Sequence, residues 1–551
     1  MTYLKREAVQ QTATPQMEQM RSDQVKNSEG AYVWEVSKWT RLQRWLILGS
    51  EGGSFYAQEQ KLTKENTLAL DECLVEDGPR VVELLRDISV SGRAIKQDPV
   101  IFALAKAAAS PDPGTKNLAL RNLPVICRTG THLFMFCGFV SQFRGWGRSL
   151  RRALADWYTQ RSPDALAYQL VKYRQRGGWS HRDVLRLAHP GKSVSAGNPA
   201  AQVSDATAHL FSYVTHGMTP EFVEGVDLDR VPHLLYPVGF ERAARATDAL
   251  EVAHLVAAYK LTREMVPSQY LNDTVVQSAL LADMPMTATV RNLGAFTASG
   301  LLKPWCADTA VVVGRLANEE QIKKSRIHPI QILAALKTYE QGHGERGKLT
   351  WTPVREILDA LDSAFYLSFQ NVEPTGHRIC VAVDVSSSMT WGNVAGGVPG
   401  LTAAHAAAAM AMLFVRTEPK VVTMAFAHEF RPLNIGPRDR LDGVMLYAYG
   451  QGFGGTDCAL PMLWAEENKY DFDTFIVLTD SETHSGRVAH PAQALVRYRR
   501  AMDLPGARLA VFGMTSNGFS IADPRDPLMM DFVGFDTNSP TALAAFMRGE
   551  V

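Results

Sequence analysis

Five oxygen-bearing residues in the C-terminal third of the chain could together hold a cation. Asp384, Ser386 and Ser388 of VAVDVSSSM occupy alternate positions just past a short apolar run. In an extended segment that alternation keeps one carboxylate and two hydroxyls on one side, so all three can face a single ion. Three ligands do not complete a cage, and two later segments offer more oxygens. These are Thr456 in the glycine-rich stretch GFGGTDCAL and Asp480 at the end of the run FIVLT. Carboxylates and hydroxyls with room for water suit a hard, octahedral, oxygen-preferring ion such as Mg²⁺. The plainer alternative is a serine turn, since Asp and Ser are turn formers. A catalytic alternative makes a strand-end aspartate beside Mg²⁺ a phosphoryl-transfer nucleophile. The chain has no P-loop, no lysine placed after the threonine loop and no second acid two positions from Asp384, so no enzymatic activity is expected.

A second chemistry lies upstream. KYRQRGGWSHRDVLRLAHP places Lys172, Arg174, Arg176, His181, Arg182, Arg186 and His189 together, with Asp183 the one acid and Tyr173 and Trp179 interleaved. Such a patch can neutralise phosphates and offer rings for base stacking, the pattern of an RNA or other polyanion surface. The same residues also read as a solvated helix pair, in which Ser180 caps the second helix and Asp183 completes a capping pattern. CRTGTHLF adds Arg128, Thr131 and His132.

Two kinds of element must position these groups. From about residue 34 to 360 apolar residues recur at helical spacing, in segments such as PVIFALAKAAA, GRSLRRALADWYTQ and IQILAALKTYEQG, broken by Gly, Pro, Ser or Asp. So many consecutive short helices predict a stack of antiparallel pairs, a HEAT-like solenoid. After about 365 the rhythm becomes strand, helix, strand. RICVAVDVS, KVVTMAFAH, DTFIVLTDS and ARLAVFGMT read as buried parallel strands of a doubly wound α/β domain, whose ligands sit at the carboxyl ends of strands. The expected organisation is a mobile polar tail over 1–29, a helical-repeat domain over 30–365 and an α/β domain over 366–551.

Net charge is zero over 551 residues, but its distribution is uneven. After residue 360 there are 14 Lys and Arg against 20 Asp and Glu, and before it 43 against 37, so a polyanion is expected on the first part. Six scattered cysteines without a CxxC pair read as free thiols in a reducing compartment. No run of about 18 apolar residues occurs, and the first 30 residues lack a signal-peptide core, so a cytoplasmic, soluble protein without a membrane partner is expected.

The set Asp384, Ser386, Ser388, Thr456 and Asp480 resembles the metal-ion-dependent adhesion site of von Willebrand factor A domains. That resemblance implies that these five coordinate the metal, some through water, with a partner carboxylate in the remaining position. More broadly, GSEGGSFYAQEQKL, THLF, WGRSLRRALADWY, KYRQRGGWSHRDVLRLAHP, MPMTATVRNLG, RIHPIQILAALKTYEQGHGERGKL, VEPTGHR, AVDVSSSM, GGTDCALPM and GMTSNGFSIADP are similar, in order, to the Ro autoantigen family of TROVE-domain proteins.

The family resemblance implies a ring of HEAT-like repeats closed by the A domain, working as a monomer. Y RNA would bind on the outer surface, and single-stranded 3′ ends of misfolded noncoding RNA would pass through the central hole, in RNA quality control. It places Lys172, Arg176 and His189 on the Y RNA surface, with Arg174, His181, Arg182 and Arg186 as neighbours, and Arg128, Thr131 and His132 at the cavity or its rim. If the chain is bacterial, it implies polynucleotide phosphorylase as a partner tethered by the Y RNA. The competing expectation is a protein-binding adaptor that grips a partner carboxylate through Mg²⁺, with the helices as scaffold.

Overall fold

The computed structural model describes residues 14–27, 30–35, 37–48, 68–94, 97–190, 203–344, 348–390, 401–450, 455–480, 483, 488–514, 519–533 and 539–549. They fall into two compact units, one spanning 70–315 and 342–357, the other 1–69, 316–341 and 358–551. The units interleave along the chain, and helices at 319–325 and 329–340 pack within the same unit as the residues after 358.

Two short strands come first. β1 (Gln24–Lys26) and β2 (Tyr32–Glu35) pair antiparallel, with Val25 opposite Val33. The expectation of a mobile tail is corrected here for residues 14–27. Gln16, Gln24 and Asn27 are buried, and Arg21 forms a two-pronged ion pair with Asp523 at 2.8 and 2.9 Å. A polar segment is held by satisfied hydrogen bonds where apolar burial is scarce. The remainder of the predicted tail lies outside the described residues.

The helical unit follows from its punctuation. α1 (Pro113–Ile126), α2 (Gly130–Phe143), α3 (Arg148–Thr159), α4 (Pro163–Lys172), α5 (His181–Ala188) and α6 (Asp205–His216) carry this part of the chain. All but α3 begin on an Asp, Ser or Thr whose side chain accepts a first-turn N–H: Asp112, Thr129, Ser162, Ser180 and Ser204. α3 buries Leu150, Ala153, Leu154, Trp157 and Tyr158, an apolar stripe at helical spacing, and leaves Arg148, Arg151 and Arg152 exposed. It packs on α1 and α5, while α6 packs on α4 and α5. Further helices over Leu235–Arg245, Ala249–Tyr259, Thr274–Ala282 and Met286–Ala298 each pack on the next, as stacked repeats do, and the first of them also packs on α4.

Between α4 and α5 the predicted helix-to-helix turn is instead a hairpin. β3 (Gln175–Arg176) and β4 (Trp179–Ser180) pair antiparallel, with Arg176 opposite Trp179. Gly177 and Gly178 form its two-residue turn with φ of +57° and +81°, as a type I′ turn requires.

The second unit holds a six-stranded sheet. Its strands are β5 (Arg378–Asp384), β6 (Lys420–Phe426), β7 (Phe430–Pro432), β8 (Thr474–Thr479), β9 (Arg508–Gly513) and, after the short β10 (Phe519–Ser520), β11 (Met529–Val533). The order is β11-β9-β8-β5-β6-β7, parallel except for the antiparallel edge strand β7. Four of these are the strands the apolar runs predict. β5 and β8, at the centre, are buried almost throughout, as expected of strands covered on both faces. β10 pairs with β2 and so makes a small second sheet, β1-β2-β10, that ties the N-terminal strands to this domain.

Candidate functional site

β5 and β8 lie side by side with Val383 opposite Leu478, so Asp384 and Asp480 emerge from neighbouring carboxyl ends. Asp384 is fully buried. Its Oδ1 accepts the Ser386 N–H at 2.9 Å, its Oδ2 accepts the Thr479 hydroxyl at 2.7 Å, and its carbonyl accepts the Tyr449 hydroxyl at 2.9 Å. Ser386 and Ser388 place their hydroxyl oxygens 3.0 Å apart, so the alternation read from the sequence does bring them together. Thr456 and Asp480 are buried as well. Asp457, next to Thr456, donates its N–H to the Ala427 carbonyl just past β6, and the Cys458 thiol feels both the Asp384 and Asp480 carboxylates.

Burial and, after it, the neighbouring Asp480 carboxylate raise the pKa of Asp384. Two adjacent buried carboxylates are costly unless a cation or proton is shared between them. Among the described residues no group of three or more His, Cys, Asp or Glu that could hold a metal ion exists, and the oxygens expected from the sequence are two carboxylates and three hydroxyls. That is an all-oxygen set suited to a hard divalent ion that keeps water ligands.

The basic stretch sits in the other unit. Arg174, Arg176, Arg182, Arg186 and His189 are exposed. The Ser180–Asp183 capping box fixes the start of α5, and His189 ends it in the left-handed conformation at φ +49°. Lys172 is half-buried. Its Nζ donates to the Tyr168 hydroxyl at 2.8 Å and lies 3.8 Å from Glu264, an acid absent from the local sequence. Burial works against its charge, but Tyr168 and Glu264 outweigh it and the pKa is raised. Arg174 stacks over Phe240, with its guanidinium carbon 4.2 Å from the ring centroid.

His181 is corrected from the surface to the core. It is 2% exposed, its Nδ1 is 2.9 Å from the Tyr158 hydroxyl, and it packs among Phe134 and Trp157. Burial pushes its pKa down to about 3, so the ring is neutral and offers no charge to a phosphate. As the first residue of an amphipathic α5 it shares the inward stripe with Val184, Leu185 and Ala188.

α2 contacts both hairpin strands, and a side chain on Gly130 would meet Tyr173 Cβ at 2.8 Å and His181 Nε2 at 2.9 Å. The close approach seats Thr131 and His132, both partly buried, in the first turn of α2, whereas the Arg128 guanidinium bonds the Ser89 carbonyl at 2.8 Å. Burial, then the nearby Arg128 charge, lowers the His132 pKa. Sequence reading passed over Trp146, whose ring centroid lies 5.5 Å from that of Trp179, and the exposed Arg148, Arg151 and Arg152 of α3, which packs on α5. The run RSLRR was the available signal for those arginines.

A helical-repeat domain followed by a Rossmann-like domain with a buried Asp-x-Ser-x-Ser strand end defines a TROVE-plus-von-Willebrand-A protein. The chain matches the TROVE domain family over residues 25–224, 257–338 and 336–377, and the Ro60 vWA domain over 378–547. It is 41% identical to the RNA-binding protein RO60 of Deinococcus radiodurans, across 98% of both chains. It is 35% identical to the RNA-binding protein RO60 of Caenorhabditis elegans, across 97% of this chain and 92% of that one. The crystal structure of Deinococcus radiodurans RO (RSR) protein superposes with a TM-score of 0.74, at 41% identity, covering 94% of this chain and 100% of that one. The chain belongs to the Ro60 family, and its fold class, helical repeats plus an A domain, is the one that membership requires.

Proposed function

We propose that this chain is a non-catalytic RNA-binding protein whose helical unit holds RNA on the surface from Lys172 to His189. The observation that carries the reading is the rigid hairpin and capped helix that present Arg174, Arg176, Arg182, Arg186 and His189 to solvent beside the Trp146–Trp179 pair. Cations for phosphates and half-buried rings for bases are the two parts of an RNA surface. The relatives' names as RNA-binding proteins support it. The RNA classes we propose are a stem-loop Y RNA on this outer surface and single-stranded 3′ ends of misfolded noncoding RNA through the hole of a monomeric ring, in cytoplasmic RNA quality control. In a bacterial cell polynucleotide phosphorylase would be the tethered partner. No helix among the described residues is long and apolar enough to cross a membrane.

A gel shift with a stem-loop Y RNA tests the surface. Lys172→Ala/Arg176→Ala/His189→Ser should weaken binding sharply and flatten the salt dependence by about 0.9 in log–log slope for each phosphate that is no longer neutralised. Of the three, Arg176→Ala should cost more than Lys172→Ala, because Lys172 already faces Glu264. Binding equal to wild type would sink the assignment.

For the A domain we propose a Mg²⁺ or similar divalent ion held by Asp384, Ser386, Ser388, Thr456 and Asp480, in part through water. When bound, such an ion would offer a coordination position to a partner carboxylate. The buried carboxylate pair favours a shared cation here, and the position that cation leaves open is what a protein-binding adaptor would use.

A further inference from the structure

Gln16 is fully buried although it lies in a stretch of polar sequence. Its side-chain amide is used at both ends. Nε2 donates to Asp457 Oδ1 at 2.8 Å and, at 3.4 Å, to the Ala489 carbonyl, while Oε1 accepts the Thr483 hydroxyl at 2.7 Å. Asp457 follows Thr456 directly, and Thr483 comes three residues after Asp480. Thr483 Oγ1 also accepts the Cys458 N–H at 3.2 Å, and Asp457 Oδ1 accepts the Ala459 N–H at 2.9 Å. The two segments that carry Thr456 and Asp480 are thus joined to each other directly and a second time through an N-terminal glutamine.

The same segment is fastened around that point. Asn27 Nδ2 donates to the Thr483 carbonyl at 2.8 Å, His490 Nε2 lies 2.9 Å from the Glu18 carbonyl, and the Thr14 N–H donates to Gln493 at 2.8 Å. The primary amide supplies a donor to the Asp457 carboxylate and an acceptor to the Thr483 hydroxyl from one side chain, which an ionised glutamate at this position could not do.

We infer that Gln16 is a positioning residue of the A-domain cation site, and that the N-terminal segment holds the Thr456 and Asp480 segments in the register a divalent ion needs. The inference rests on the metal reading of that site. Gln16 touches no ion and no ligand; it acts through Asp457, next to Thr456, and Thr483, three residues after Asp480, as an extension of the support outer partners give metal ligands.

Isothermal titration of the full-length chain with Mn²⁺ tests it. Gln16→Leu should weaken Mn²⁺ binding about 10-fold, the lower end of what losing a direct partner of a ligand costs, because Gln16 lies one contact further out. Thr483→Val, which cuts the other end of the bridge, should weaken it similarly and serves if Gln16→Leu fails to fold. Gln493→Ala, which loosens the segment at Thr14 without touching the bridge, should lower the melting temperature in EDTA but leave Mn²⁺ affinity unchanged. Wild-type affinity in a folded Gln16→Leu or Thr483→Val chain would overturn the inference. Failure of the wild type itself to bind Mn²⁺ would instead overturn the metal reading on which it stands.

Discussion

His181 and Arg182 are consecutive, yet one lies among Phe134, Tyr158 and Trp157 and the other is exposed. A histidine buried as the neutral ring has a consequence for stability. Its pKa is about 3 in the folded chain and ordinarily 6.5, so the unfolded chain binds more protons between those values. Its contribution is fully present above pH 6.5 and is lost as pH falls toward 3, at up to about 1.4 kcal/mol per pH unit. The urea midpoint of wild type should therefore fall between pH 7 and pH 5. His181→Gln, which keeps a hydrogen-bonding group for Tyr158, should show a shallower fall. Identical slopes in the two chains would return His181 to the surface.

At the scale of elements, the β3–β4 hairpin decides where Arg176 points. Gly177 and Gly178 adopt positive φ, and a Cβ on either would meet open space, so alanine there strains the backbone without a clash or a change of charge. The strain costs on the order of 1–2 kcal/mol per residue. Gly177→Ala/Gly178→Ala should weaken Y RNA binding several-fold in a gel shift while leaving the salt slope near the wild-type value. A slope as flat as that of the Arg176→Ala chain, or affinity equal to wild type, would show that hairpin geometry does not position the contacts. The capping box of α5 was legible from Ser180 and Asp183, because capping is local. The hairpin was hidden because its strands are only two residues each, too short to show alternation.

For the whole molecule, the proposed functions reside in different compact units and the charge is split in the same sense, basic before residue 360 and acidic after it. Two sites on separately packed cores should respond independently to substitution. Asp384→Ala should abolish Mg²⁺ or Mn²⁺ binding in calorimetry and leave Y RNA affinity nearly intact. Equal loss of RNA binding would mean that the sites are coupled.

The amino-acid sequence by itself determined the helical character of the first part, the four central strands and the alternation at the end of β5. Helical spacing, Asp/Ser/Thr caps, four β-branched runs and the alternation of Asp384, Ser386 and Ser388 are local patterns, and local geometry enforces them. Tertiary structure decided what those patterns meet: Glu264 against Lys172, the aromatic shell around His181, and Gln16 between Asp457 and Thr483. Residues 14–27 read as a tail because polar composition signals solvation. They are structured because their amides are satisfied by partners more than 400 positions away, a match that leaves no trace in local sequence.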